Sequence, residues 1–474
     1  MAKIFILLLT ITALSLPPGA GAKETVTTLD DQQSVSVTIY NQNLALVRDQ
    51  RAINLPAGIS TLAFREVSGK IRPETALLKT DGIKVLEQNF EFDLLTPRAL
   101  LDKYVGRQVS VVKVHPTTGE ESLIKARVLS ANSGVVLKTA DHIETGVPGR
   151  LVFPDVPENL RDRPTLTMLV DNQQAGNQDI ELSYLTGGLK WQADYVAELN
   201  AADNELDISG WVTLTNKSGA TYQNARLQLV AGDVNQAPPE QRPGRHYMEK
   251  NMAMATMQDS MAEEAMFEYH LYTLARPTTI KDKQTKQVSL LQGSNIPCKK
   301  EFVLQGSDYY YRSQYGEIGR KIKIGVFVEL KNDQENNLGL PMPKGVVRVY
   351  KKDSAGALQF IGEDRIDHTP VNETIRLKLG EAFDVTADKT QTDFKKISGF
   401  SRYHYVYDST FTIKLKNAKK EDVVVKVVEP VPGDWEMREE SARHEKPAAN
   451  TAVWLIAVPA MGQAELNYTV RVKY

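Results

Sequence analysis

The single thiol of this 474-residue chain is Cys298, in a Pro-Cys-Lys-Lys run. One cysteine excludes intramolecular disulfides, cysteine-based zinc sites and Cys-x-x-Cys redox chemistry. A cysteine nucleophile needs a base held against it, and this run offers no patterned base. Cys298 therefore reads as a buried or incidental thiol. Thioethers are ligands for copper(I). Six of the eleven methionines, Met248, Met252, Met254, Met257, Met261 and Met266, fall in or beside residues 236–265. Met252, Met254, Met257 and Met261 with His246 would form a soft-metal ligand set. Copper-binding methionines repeat at tighter spacing, so the segment reads instead as adaptable apolar surface on a mobile loop. No metal and no cofactor is assigned.

Carboxylates and a histidine gather in GEDRIDHTPVNETIRLKLGEAFDV: Asp364, Asp367, His368, Glu373, Glu381 and Asp384. Such a set can hold a divalent cation or exchange protons as acid and base. Asp364 to His368 reads as a loop bounded by Gly and Pro, and the remaining acids alternate along strand positions. They read as solvated loop and strand-face residues. No Gly-x-Ser-x-Gly, His-Glu-x-x-His or glycine-rich phosphate loop is present, so no catalytic residue is assigned. Two tyrosine groups stand out: Tyr309-Tyr310-Tyr311 with Tyr315, and Tyr403, Tyr405 and Tyr407. Exposed on a sandwich, they would stack on sugars or anchor a protein partner. Otherwise they bridge sheet edges.

The elements that would position these residues are strands. Trp191, Ala193, Tyr195, Ala197 and Leu199 share one strand face, and Leu206, Ile208, Gly210, Val212 and Leu214 share one face of the return strand. With the strand opening at Leu227 and Leu229, this reads as an antiparallel meander. The last strand alternates equally cleanly: Leu466, Tyr468, Val470, Val472 and Tyr474 against Glu465, Asn467, Thr469, Arg471 and Lys473. One short helix is expected, capped by Thr96, opened by Pro97 and stopped by Gly106.

The organisation follows in chain order. Lys3, an apolar run from Ile4 to Leu16 and Ala20-Gly21-Ala22 read as a signal peptide over 1–22. Residues 23–105 read as an N-terminal β domain. Residues 106–150, with short strands at regular spacing, read as a small β-barrel-like insertion. Residues 164–235 open a central β-sandwich, 236–265 form a flexible Met-rich insertion with one weak helix around 252–266, and 266–474 are a β-rich remainder ending in a C-terminal sandwich. With 57 basic and 59 acidic residues, the formal charge of −2 gives no drive towards nucleic acid. One cysteine in an exported chain of this size points to a bacterial envelope compartment, periplasmic or extracellular. No later segment is apolar enough to span a bilayer as a helix.

Several separate motifs carry a resemblance. Ser183-Tyr184 through Gly188-Leu189-x-Trp191-x-Ala193-Asp194-Tyr195, then Gly210-Trp211-Val212-x-Leu214-x-Asn216 and Leu229-Val230-Ala231-Gly232-Asp233, are followed by Tyr272-Thr273-Leu274-x-Arg276-Pro277-Thr278-Thr279. Gly362-Glu363-Asp364 with Asp367-His368-Thr369, and Glu429-Pro430-Val431-Pro432-Gly433-Asp434-Trp435, complete the series. In this order they resemble an exported bacterial domain-of-unknown-function family whose domain also forms the C-terminal part of mucoidy-inhibitor-A-like proteins. The resemblance implies a β-rich exported protein and supplies no activity or site residue. The long coiled coil expected of a full mucoidy-inhibitor-A-like protein is missing, so that role does not transfer. The expectation is a mainly β protein of several antiparallel sandwich or small-barrel domains. Its expected role is to bind an envelope protein or glycan partner without catalysis. The alternative is a secreted hydrolase whose carboxylates converge from separate strands.

Overall fold

The computed structural model describes residues 24–157, 160–232, 234–236, 261–398 and 403–474. The segment expected to be a signal peptide, and most of the Met-rich insertion, lie outside these. The chain opens with β1 (Glu24–Thr27), β2 (Gln32–Tyr40), β3 (Leu44–Leu55), β4 (Gly58–Arg65), β5 (Leu77–Lys79) and β6 (Ile83–Glu91). Alternation explains β3: Ala45, Val47, Ile53 and Leu55 are buried, while Gln50 and Asn54 face solvent.

Helix α1 spans Pro97–Lys103, and the Thr96 hydroxyl accepts from the Ala99 amide as an N-cap. It covers a sheet of β7 (Gln108–Val114), β8 (Glu121–Ser130), β9 (Val136–Lys138), β10 (Ile143–Thr145) and β11 (Arg150–Val152). The strand order is β10-β9-β8-β7-β11, so β10 and β11 end the sheet without meeting. The small barrel expected here is therefore an open sheet. Leu100, Leu101 and Tyr104 close its apolar face over Val109, Val111, Val128 and Leu137, which does the work barrel closure would otherwise do. The ends of this unit meet: Leu95 donates to the Arg161 carbonyl at 2.8 Å and Arg161 to the Asp93 carbonyl at 3.1 Å.

Next come β12 (Thr165–Asn172), β13 (Gly176–Thr186), β14 (Leu189–Leu199), β15 (Glu205–Asn216) and β16 (Tyr222–Ala231). β14 and β15 form the expected hairpin, pairing from Leu189↔Asn216 to Leu199↔Leu206. The meander stops there. β16 leaves β15 and pairs in parallel with β2, and β13 pairs with β3. β12 lies between β4 and β6. Strands from both sides of the inserted unit thus share sheets, and one core joins Val37, Leu55 and Phe64 to Trp191, Tyr195 and Leu214.

After the insertion come β17 (Ala262–Met266), β18 (Tyr269–Thr273) and β19 (Thr278–Ile280). The helix expected over 252–266 is contradicted at its end, where β17 pairs with β18 as a strand. Met261 is buried in the main core. The remainder is β20 (Gln284–Gln305), β21 (Glu317–Lys331), β22 (Gly345–Lys352), β23 (Leu358–Ile366), β24 (Thr374–Ile397), β25 (Val406–Asn417), β26 (Val423–Pro430), β27 (Asp434–Glu440), β28 (Glu445–Ala448), β29 (Thr451–Val458) and β30 (Gln463–Lys473). Long, bent β20, β21 and β24 run through a thirteen-stranded sheet that links the central core to the C-terminal one. Parallel pairs β14·β22 and β20·β26 make the sheets mixed rather than purely antiparallel. The fold is mainly β, in sandwich-like stacked sheets. No helix among the described residues is long and apolar enough to cross a membrane.

Candidate partner-binding site

Both tyrosine groups come to one end of the C-terminal sandwich. Asp308–Tyr311 form a 3₁₀ turn after β20. Tyr309 packs edge-on against Tyr310 at 4.5 Å and against Tyr315 at 5.7 Å between ring centroids. Gln391 of β24 fixes this loop: its amide donates to the carbonyls of Tyr310 and Ser313, and its carbonyl accepts from Tyr315 N at 2.7 Å. The second group enters β25. Tyr405 stacks on Tyr407 at 6.2 Å, Tyr407 stacks on Phe394 at 5.1 Å, and Tyr407 meets Tyr474 edge-on at 6.2 Å. Tyr474 joins the groups, because Arg312 and Asp308 of the turn act on its phenol; burial is the largest influence and raises it. Arg312 is held by Asp308 at 2.6 Å. Lys396 sits over Tyr405 and Lys473 over Tyr403, whose hydroxyl donates to Asp434 at 2.6 Å. Tyr309 is 48% and Tyr405 50% exposed, so these rings stay open to solvent.

A buried polar group supports this surface. Tyr311 is fully buried and donates to Glu429 at 2.8 Å, and its oxygen lies 3.0 Å from that of Tyr468. Lys389 Nζ meets the other Glu429 oxygen at 2.6 Å, with the side chains only 2% and 0% exposed. Lys389 also lies over the rings of Tyr310 and Phe411. Burial pushes the Lys389 ammonium down, against the opposing pull of Glu429, and pushes the Tyr311 and Tyr468 phenols well up. Gly306 is required where it stands, since a Cβ there would lie 2.2 Å from Glu429 Oε2. The sequence reading missed this network, although parity marks it. Lys389 continues the inward row Val385, Ala387, and Glu429 continues Val423, Val425, Val427.

The other candidates are not brought together. Asp364 lies in strand β23 rather than a loop, and accepts from the Arg365 and Lys378 amides. His368 Nδ1 accepts from the Lys344 amide at 3.3 Å. Glu381 pairs with Lys323 at 3.0 Å. Asp367, Glu373 and Asp384 enter through their backbone carbonyls, which accept from Thr369, Asn332 and Ala418. Among the described residues no group of three or more His, Cys, Asp or Glu side chains is arranged to hold a metal ion. Of the methionine and His246 set, only Met261 lies within the described residues. Burial, with Asp203 and Glu205 adding to it, pushes the Cys298 thiol up to about 11, so little of it is thiolate at neutral pH.

Among the described residues two acid–histidine pairs are half-covered, and in one of them His270 Nδ1 lies 2.6 Å from Glu263. In the other, His444 sits between Trp435 and Trp454, its Nδ1 2.9 Å from Glu440. The same carboxylate accepts from the His444 amide and the Trp454 indole, so its donors come from within the fold.

Residues 180–474, more than half of the chain, match the model of a domain of unknown function (DUF4139). No curated protein matches. The chain belongs to the DUF4139 family.

Proposed function

We propose that this DUF4139 protein is an exported, non-catalytic binding protein of the bacterial envelope that holds its partner at the tyrosine-rich end of the C-terminal sandwich. The observation that carries this is the convergence of two sequence-distant tyrosine groups on one surface, with open rings, beside Arg312, Lys396 and Lys473. Tyrosine and arginine over a stiff base are the residues that concentrate binding energy, because a rigid ring buries much area for little lost rotamer freedom. A protein partner fits this mix of rings and charges. A glycan would use the same ring faces. Against the alternative, a hydrolase, stands the pairing of the two acids that line one cavity: Asp203 and Glu381 are each bonded to lysine.

Photocrosslinking groups placed at Tyr309 and Tyr405 test the reading in intact cells. One discrete adduct common to both positions is expected, and it should vanish in Tyr315→Ala/Tyr407→Ala protein that melts normally. Digestion of the adduct with protease or glycosidase tells protein from glycan. Absence of any adduct, together with turnover in a glycan or peptide substrate screen, would overturn it.

A further inference from the structure

The cavity lined by Asp203 and Glu381 lies where the large sheet curls back on itself. β23 is the edge strand beside β22, and β24 lies beyond β21 in the same sheet. These distant strands nevertheless touch: Asp364 Oδ2 accepts from the Lys378 amide at 2.7 Å, and a Cβ on Gly362 would lie 2.2 Å from the Leu379 carbonyl oxygen. Each strand carries a one-residue bulge at the point of approach. Val349 pairs with Gly362 and Tyr350 with Phe360, which leaves Ile361 as the extra residue. Val326 pairs with Gly380 and Phe327 with Lys378, which leaves Leu379. A bulge bends its strand and re-aims the inserted side chain. Both inserted residues, Ile361 and Leu379, line the same cavity of about 270 Å³.

The chemistry of the cavity is divided. Leu199, Val326, Val328, Ile361 and Leu379 give apolar walls, and Asp203, Lys300, Lys351 and Glu381 give a charged rim. Asp203, in the turn joining β14 to β15, is bonded by both lysines, and Lys351 also donates to the Ala201 carbonyl at 3.0 Å. One carboxylate thus faces two ammonium groups, while Glu381 is occupied by Lys323. Glu421 also stands within the field of Lys300 and is itself bonded to Lys419 at 2.7 Å. An ammonium carries three donors, so Lys300 and Lys351 can each bond a further acceptor without releasing Asp203. The volume falls just below the roughly 300–1,000 Å³ of sites for drug-sized ligands, which selects a short apolar chain.

We propose that this cavity binds a small amphiphile with a single carboxylate, its chain against Ile361 and Leu379 and its head between Lys300 and Lys351. None of its lining residues belongs to the tyrosine surface, so it is a separate site.

Octanoate is the probe, titrated calorimetrically into the folded full chain, with octyltrimethylammonium as the charge-reversed control. Saturable binding of octanoate at one site is expected, with roughly tenfold preference over the cation. Lys300→Met/Lys351→Met should abolish that preference, and Ile361→Asp should weaken octanoate roughly tenfold at unchanged melting temperature. A diazirine-bearing octanoate analogue reads the site without any substitution: mass spectrometry should place its adducts at Leu199 or within 326–328, 351–361 or 379–381. Absence of saturable binding, equal affinity for the cation, or adducts confined to other segments would each overturn the proposal.

Discussion

Glu429 is the acceptor at the centre of the buried polar network in the C-terminal core. Tyr311 and Lys389 both bond to it with their side chains out of water. Removing one partner of a buried ion pair leaves a charge without compensation, which costs about 3–5 kcal/mol. Glu429→Gln should therefore lower stability by that order in urea titration, and more than Glu429→Gln made together with Lys389→Met. If the double variant is the less stable, the pair does not act as a unit. The same network fixes an alkaline limit. Burial holds the Tyr311 and Tyr468 phenols well above the ordinary tyrosine value of 10.0, so the unfolded chain loses those protons first. Their contribution is full below about pH 10 and is lost as pH climbs above it towards the folded values. Lys389 acts oppositely: its folded ammonium is lowered, so its penalty is relieved as pH rises towards 10.5. The lysine's gain is complete by about pH 10.5, whereas the phenols go on losing stability above it, so unfolding free energy should fall above about pH 10.5. Tyr468→Phe should make that fall shallower, as measured by denaturation across pH 9–11.

At the scale of elements, strand alternation is the rule that worked best. Trp191, Ala193, Tyr195, Ala197 and Leu199 are all buried along β14, and Gln192 and Val196 are exposed. Trp191→Ala should cost about 3–5 kcal/mol, because the cavity cannot collapse between two paired sheets. At α1 the cap was legible too: Thr96 accepts from Ala99 as its residue type and position imply. Thr96→Ala should cost about 1 kcal/mol, seen locally as faster amide exchange in 99–103 rather than as global loss. The bulges of β23 and β24 were not legible. A bulge is a mismatch between two strands, and neither strand alone records it. The same holds for β16, whose alternation continues the preceding hairpin while its partner lies in the first forty residues.

At the scale of the whole molecule, two kinds of connection differ in strength. The unit containing α1 and β7–β11 has its own small core, and its entry and exit are bonded to each other at Leu95 and Arg161. Replacing 96–160 by a short Gly-Ser linker should leave a cooperatively unfolding protein, with octanoate binding intact by the proposal above. The strands before and after that unit behave otherwise, since β3 and β13 pair over their whole lengths and share one core. The segment 180–474 expressed alone should expose the β13 edge and aggregate. A soluble, cooperatively melting fragment would contradict that dependence.

By itself the sequence determined that this is a mainly β protein, which faces of its strands are buried, where its short helix is capped and which family motifs it carries. Those properties are local: they depend on residue type and on a period of two along one strand. It also singled out both tyrosine groups. Only the tertiary structure decided that they meet, that the meander ends at β15, that Asp364 serves strand approach and that Lys389 and Glu429 pair inside a core. Each of these depends on which strand lies beside which, across tens to hundreds of residues, and that choice is made by packing of whole sheets rather than by any one segment.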